Sequence, residues 1–440
     1  MRRAGTDLTI AAVQRRYVGL TALRWLPLGL TVPVMVLLAS ARGLSPAEIG
    51  LVMAVHSIVA VSLELPTGGL ADAIGHRPVL VLSVLLGGAG LLTMAAAHGV
   101  AVFALGFALI GAGRALDSGP LESWFVDAAH QADADADVTP GLSRGAAANG
   151  GGLALGAVLG GLAPTLASGV GSDVLAVPFL LAAAVDVVYL VALLRLVAPL
   201  GTTGGTASRA ALLTGLGDVP RVVRATGGLV RRDGILRRLL GVGLLTGVAL
   251  SALELLGPLR FASLTGSETE GSAVFGVVMA ASFGAAAVGS VLAAPARRVA
   301  RGSTAAATAG LAVLAAAAVV GTSLSPSVLP AALTYAFFYL ANAAGWPLRQ
   351  QLMHARVPAA QRNTSVSVGS FATQMGGVAG RLLIPQLAEA TSPTVGFGAI
   401  VTALLVIGVI SLGLQVPAET PPPMHAPLDG DGIQRSNAVA

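Results

Sequence analysis

The chain has no cysteine, and no lysine either, since all 26 basic residues are arginine. The first absence excludes disulfides, thiolate nucleophiles, cysteine-ligated zinc and iron–sulfur clusters. The second removes the lysine that a phosphate-binding loop aims at a nucleotide, and Schiff-base chemistry with it. Charge is scarce too: 11% of the 440 residues are Asp, Glu, Lys or Arg, against about 25% in a soluble domain. Aromatic residues make up only 4%. What fills the chain is apolar, 55% hydrophobic residues at a mean hydropathy of +0.81. So few charges cannot cover that much apolar surface in water, and the chain reads as a polytopic membrane protein. Its 57 glycines suit helices that approach closely in lipid.

A spanning helix needs about 20 mainly apolar residues. On that ruler, spans fall at 17–40, 47–66, 78–97, 100–124, 145–168 and 174–197. A second set falls at 239–261, 271–295, 303–322, 327–350, 363–387 and 394–416. The expected fold is all-α, with 12 transmembrane helices in two six-helix bundles, 17–197 and 237–416, joined by a basic connector at 198–236. Residues 1–16 read as a cytoplasmic tail, and the proline-rich 417–440 as a disordered one. A membrane barrel would need short alternating strands, and in lipid a helix satisfies its own backbone.

Arginine sets the expected orientation. With the N-terminus in the cytoplasm, inside segments hold Arg2, Arg3, Arg15, Arg16, Arg77, Arg144, Arg195, Arg209, Arg221, Arg224, Arg231, Arg232, Arg237, Arg238, Arg297, Arg298, Arg301, Arg356, Arg362 and Arg435. Outside segments hold Arg42 and Arg260. That is the positive-inside pattern. It places both termini in the cytoplasm of a multi-pass cell-membrane protein and accounts for a pI near 10.5 without a nucleic-acid partner. Arg221, Arg224, Arg231 and Arg232 give the connector the look of an amphipathic segment on the cytoplasmic surface. Ala39-Ser40-Ala41 has the pattern of a signal-peptide cleavage site, but the apolar stretch before it is too long and further spans follow.

The most informative stretch runs from Glu64 to Pro78, through Gly68-Gly69-Leu70-Ala71-Asp72-Ala73-Ile74-Gly75-His76-Arg77. It resembles the G-x-L-a-D-r-x-G-r-r signature between helices two and three of the major facilitator superfamily. Gly68 or Gly69, Asp72, Gly75 and Arg77 fit that signature, while Ala73 and His76 stand where arginines are usual. The resemblance implies a gating loop of Gly69, Asp72, Gly75 and Arg77, with Asp72 facing the start of helix eleven near Asn363 and Arg77 pairing with Asp127. In helix four, Arg114 resembles the single arginine of the family's l-x-x-R-x-x-q-G motif, with Asp117 and Ser118 in place of Gln and Gly. Helix five carries Gly152, Gly156, Gly160 and Gly161, a groove for a close neighbour. It is similar to the family's antiporter motif, with Ala157 in place of its proline.

Charges inside spans are costly, so each is a functional candidate. Arg114 and Asp117, three apart, share a helical face and are expected to pair. With Asp186 and Glu254 they are the candidates for proton coupling. Arg381 and Arg24 are further buried charges. By the resemblance, helices one, four, seven and ten line the cavity, which adds Arg24, Trp25, Tyr335, Phe338, Tyr339, Asn342 and Trp346 as substrate contacts. Gly141-Leu142-Ser143-Arg144-Gly145 matches a hydrolase nucleophile motif, but that motif needs a strand before it and a helix after it. The sequence shows no metal-binding pattern, and no cofactor is expected.

The expected function is proton-coupled efflux of a small, partly hydrophobic compound by alternating access, as in related transporters. Uptake with protons is the alternative, and the coupling ion could be another cation. A non-transporting sensor or membrane enzyme is the reading from another class. The expected partners are a small-molecule substrate, protons and the lipid bilayer, with no obligatory protein partner.

Overall fold

A computed structural model describes residues 9–67, 70, 74–169, 171, 173–197, 234–356 and 362–414. The connector arginines Arg221, Arg224, Arg231 and Arg232, the tail 417–440, Gly69 and Asp72 lie outside the described residues.

The first half contains α1 (Ile10–Thr31), α2 (Met35–Ala41), α3 (Pro46–Thr67), α4 (His76–Ala96), α5 (Val100–Leu116), α6 (Pro120–Ala132), α7 (Thr139–Leu166) and α8 (Val177–Leu196). The second contains α9 (Gly234–Thr265), α10 (Glu268–Val291), α11 (Ala293–Val299), α12 (Thr304–Leu324), α13 (Val328–Arg356), α14 (Arg362–Ala390) and α15 (Pro393–Leu412). Hydroxyl side chains start several of them: Thr9, Ser267, Ser303 and Ser392 each accept a first-turn N–H, which an apolar helix cannot supply for itself. Among the described residues, 11 segments are long and apolar enough to cross a membrane. Helix α14 packs among them at similar length but carries Arg362, Gln374, Arg381 and Glu389. Its polarity reflects where it sits, at the seam between the halves.

Two expected spans are not single helices. Span one breaks between Thr31 and Met35, at Pro33, whose nitrogen cannot continue the ladder. Span four ends at Leu116, turns through Gly119 at φ 106°, and restarts at Pro120 as a helix that runs on to Ala132. That φ suits glycine. In the second half the described residues resume at Gly234, already within α9.

The halves repeat one packing plan. Helix α1 packs on α7 and α8 as α9 packs on α14 and α15; α5 lies on α3 and α4 as α13 lies on α10 and α12. Across the seam, α7 meets α10 and α3 meets α14. The glycine ridge of α7 makes one of the tight contacts, as Gly247 and Gly376 do between α9 and α14. Gly152, Gly156 and Gly160 face the α1 backbone, and a methyl added at Gly156 would sit 2.8 Å from the Gly29 Cα. Gly161 instead faces Gly276 across the seam, where Ser272 Oγ donates to its carbonyl at 3.1 Å. The glycines of the hydrolase-like motif are packing positions too. Gly141 lies under Phe125 and Gly145 under Tyr17, two rings stacked at 4.4 Å, and Ser143 is inside α7 rather than on a strand-to-helix turn.

The same repeat explains the two arginines that the inside rule leaves out. Arg42, after α2, donates to the carbonyls of Met94, Ala95 and Ala97 at the end of α4 (3.0, 2.6 and 2.6 Å) and to Asp173 at 2.6 Å. Arg260, in α9, donates to Ser325 O at 2.7 Å beyond the end of α12. Each cation satisfies orphan carbonyls where the helix dipole favours positive charge. Arg42→Ala is expected to lower stability by about 3 kcal/mol, because several buried carbonyls lose a charged donor. Denaturant titration of the purified variant in detergent checks this, and a loss below about 0.5 kcal/mol would place the capping elsewhere.

Candidate functional site

Between the halves lies a cavity of about 390 Å³. Most of its wall is apolar, built from Met35, Met53, Leu91, Met94, Phe107, Phe179, Phe275, Met279 and Phe283. Into it project Arg24, His56, Arg114, Asp117, Asp186, Glu254 and Arg381. At the end opposite the connector the halves are closed, by Gly161 against Gly276 and by Gly50 against the Arg381 carbonyl. Toward the connector end, Gly150 and Gly151 of α7 and Gly284 of α10 face open space.

The cavity charges are sorted by the fold, not by sequence spacing. Asp117 does not pair with Arg114; its carboxylate is held by Arg24 Nε of α1. Arg24 Nη2 also donates to the Asp117 backbone carbonyl at 2.6 Å. The reason is local: α5 stops at Leu116, leaving Asp117 as its C-cap with a carbonyl open to a cation. Arg114 lies over the Trp25 ring, its Cζ 5.2 Å from the centroid, with Arg24 at 5.3 Å from the same ring. One indole thus carries two guanidiniums, a favourable use of its negative faces. In the second half, Arg381 Nη2 meets Glu254 Oε2 at 3.3 Å while Nη1 donates to Ser57 Oγ of α3.

Asp186 is the exception. It stands midway along α8, faces the cavity opposite Gly87 and Gly88, and has no hydrogen-bond or ion-pair partner among the described residues.

The aromatic set expected on helix ten divides. Tyr339 lines the cavity. Tyr335 and Phe338 are fully buried in a cluster with Phe261 and Phe275, Tyr335 lying edge-on to Phe275 at 5.5 Å. Asn342 and Trp346 are not in the lining, and Trp346 is 49% exposed with Arg349 over its ring. The five positions, at i, i+3, i+4, i+7 and i+11, share one stripe of α13, but that stripe runs about 16 Å along the helix, and the cavity wall takes only Tyr339 from it.

The loop between α3 and α4 also differs from expectation. His76 Nε2, not Arg77, lies against Asp127 Oδ2 at 3.0 Å. Arg77 instead donates to Leu194 O at 2.7 Å, near the end of α8. Gly75, at φ 91°, is the turn that starts α4. His56 and Ser57 were not singled out from the sequence. An ionisable His56 within an apolar span was a signal in plain view; Ser57 offered none.

Twin helical halves packed by the same plan around a central, mainly apolar cavity with buried charges make a membrane transporter fold. The chain belongs to the Major Facilitator Superfamily, whose sequence profile matches residues 18–380. Solved structures share the fold. A variant of the nucleoside transporter NupG superposes with a TM-score of 0.72 at 14% identity, covering 91% of this chain and 99% of its own. A bacterial homolog of the human lysosomal transporter Spinster, in an inward-facing and occupied conformation, gives 0.72 at 13% identity, covering 93% and 97%. The peptide transporter POT in complex with sulfate gives 0.66 at 17%, covering 91% and 94%. No curated protein matches this chain in sequence.

Proposed function

We propose that this chain is a secondary active transporter of the cell membrane, exporting a small, partly hydrophobic compound in exchange for protons by alternating access. The connector end, rich in arginine, is its cytoplasmic face. No nucleotide-binding motif is present to supply energy, so an ion gradient drives the cycle.

The observation that carries this reading is Asp186. An ionised carboxylate with no partner among the described residues, set in an apolar wall, is costly. Such a group holds a proton or faces a bound compound, and the two alternatives supply the exchange. Asp117 and Glu254 are weaker candidates, because each already neutralises an arginine. The apolar lining favours a ligand that is itself largely apolar.

A second reading, uptake of an anionic compound together with a proton, is favoured by one specific feature. Arg114 faces the cavity with an aromatic neighbour and, among the described residues, no carboxylate in an ion pair with it. Once Asp186 is protonated, the cavity carries an excess positive charge that an anion would balance.

Proteoliposomes holding a trapped pH dye test both, with compounds drawn from a growth screen of a deletion strain. Driving a compound inward along its own gradient should alkalinise the lumen under exchange and acidify it under co-transport. A lumen that stays at constant pH during measurable flux of the compound would remove protons from the mechanism.

A further inference from the structure

Helices α3 and α14 run antiparallel along the seam and are joined by polar contacts at three levels. Near the closed end, the Ala47 N–H donates to Glu389 Oε2 at 2.9 Å. Midway, Arg381 donates to Ser57 Oγ. Toward the connector end, Gln374 Nε2 donates to Glu64 Oε2 at 3.3 Å. Ser57 and Glu64 are separated by two turns, as are Gln374 and Arg381, so these levels lie roughly 10 Å apart along the helices.

The middle level is unlike the others. Ser57 is 9% exposed and the Arg381 side chain 18%, so water competes poorly for this bond. Its donor also has a second attachment. Arg381 Nη2 meets Glu254 of α9, and α9 packs on α14 within the same half. The other polar groups around this point are His56 from α3 and Tyr339 from α13, which share the cavity wall with Arg381 and Glu254.

Opening the closed end moves α3 away from α14. That motion breaks the Ser57 contact, which crosses the halves, and keeps the Glu254 contact, which does not. We propose that Arg381 is a positioning residue of the transport cycle: its bond to Ser57 holds the halves in the conformation seen here, and Glu254 keeps the guanidinium compensated when they part. Arginine suits the task because its fork reaches two acceptors at once. The inference rests on the alternating-access reading, and not on the direction of transport or on proton coupling.

The chain's lack of cysteine makes the test direct. Ser168 and Glu270 are exposed residues of opposite halves at the closed end. Replacing both with cysteine and attaching spin labels lets pulsed dipolar spectroscopy report the separation of the halves. Ser57→Ala should raise the ratio of long-distance to short-distance populations about tenfold, equivalent to about 1.4 kcal/mol, a loss near the lower limit for one hydrogen bond to a charged group. Ser57→Thr, which keeps the hydroxyl, should match the parent. An unchanged distribution in the alanine variant overturns the proposal, as does a threonine variant displaced equally far. A shift in Ser57→Ala alongside flux without any lumenal pH change would leave the tie standing and remove the proton-coupled reading alone.

Discussion

Asp186→Asn is expected to abolish concentrative transport while leaving counterflow between equal pH compartments intact. With one proton exchanged per cycle, a gradient of one pH unit is worth about 1.4 kcal/mol and sustains a tenfold concentration ratio. An asparagine cannot take up that proton, so the ratio should fall to about one. Asp186→Glu keeps a titratable group in the same wall and should restore part of the gradient. The comparison with Asp117→Asn and Glu254→Gln is informative, because those carboxylates compensate Arg24 and Arg381. Removing either charge leaves a guanidinium without its partner, a defect that appears first in stability and folded yield. Purified variants reconstituted at matched protein content separate the two kinds of loss. An Asp186→Asn protein that still sustains a tenfold ratio would exclude this residue as the coupling group.

The second large effect concerns packing. Gly160→Ala is expected to destabilise the first half by about 3 kcal/mol or more, at the upper end of overpacking effects. Its new methyl would meet the Leu30 carbonyl and backbone of α1. No flexible side chain stands there to move aside, so α1 and α7 must separate. Gly150→Ala, on the same helix, has nothing within 4 Å of the new methyl. It should be neutral or stabilising by about 0.5–1 kcal/mol, through reduced freedom of the unfolded chain. Thermal unfolding in detergent, followed by size exclusion, distinguishes them. Equal melting temperatures for the two variants would contradict the close approach of α1 and α7.

The two predictions draw on different kinds of information. The glycine spacing on helix five announces a close neighbour, and it does so before any partner is known. Which helix fills the groove was not readable: three of the glycines meet α1, and Gly161 meets α10 of the other half. Asp186 was recognisable as a charge near the middle of an apolar run, and the structure adds that the charge has no partner among the described residues. Arg114 and Asp117 show where local reasoning fails. The i, i+3 rule presumes a continuous helix, and the turn at Ser118–Gly119 ends that helix at Leu116. Arg24, 93 residues away in sequence, is then better placed. His76 shows another limit: the family resemblance pointed to Arg77 as the partner of Asp127, but adjacent residues at a helix start point in different directions, and only one could reach.

The run of apolar segments by itself determined that this chain lives in lipid as helices in two sets, because hydrophobic length and backbone satisfaction are local properties that no partner can change. The placement of arginine similarly determined an expected orientation. Only the tertiary structure decided which buried charges neutralise one another, which aromatic side chains face the cavity, and why Arg42 and Arg260 stand outside the rule. Those outcomes depend on distances between helices far apart in the chain, and such distances come from packing rather than from spacing along the sequence.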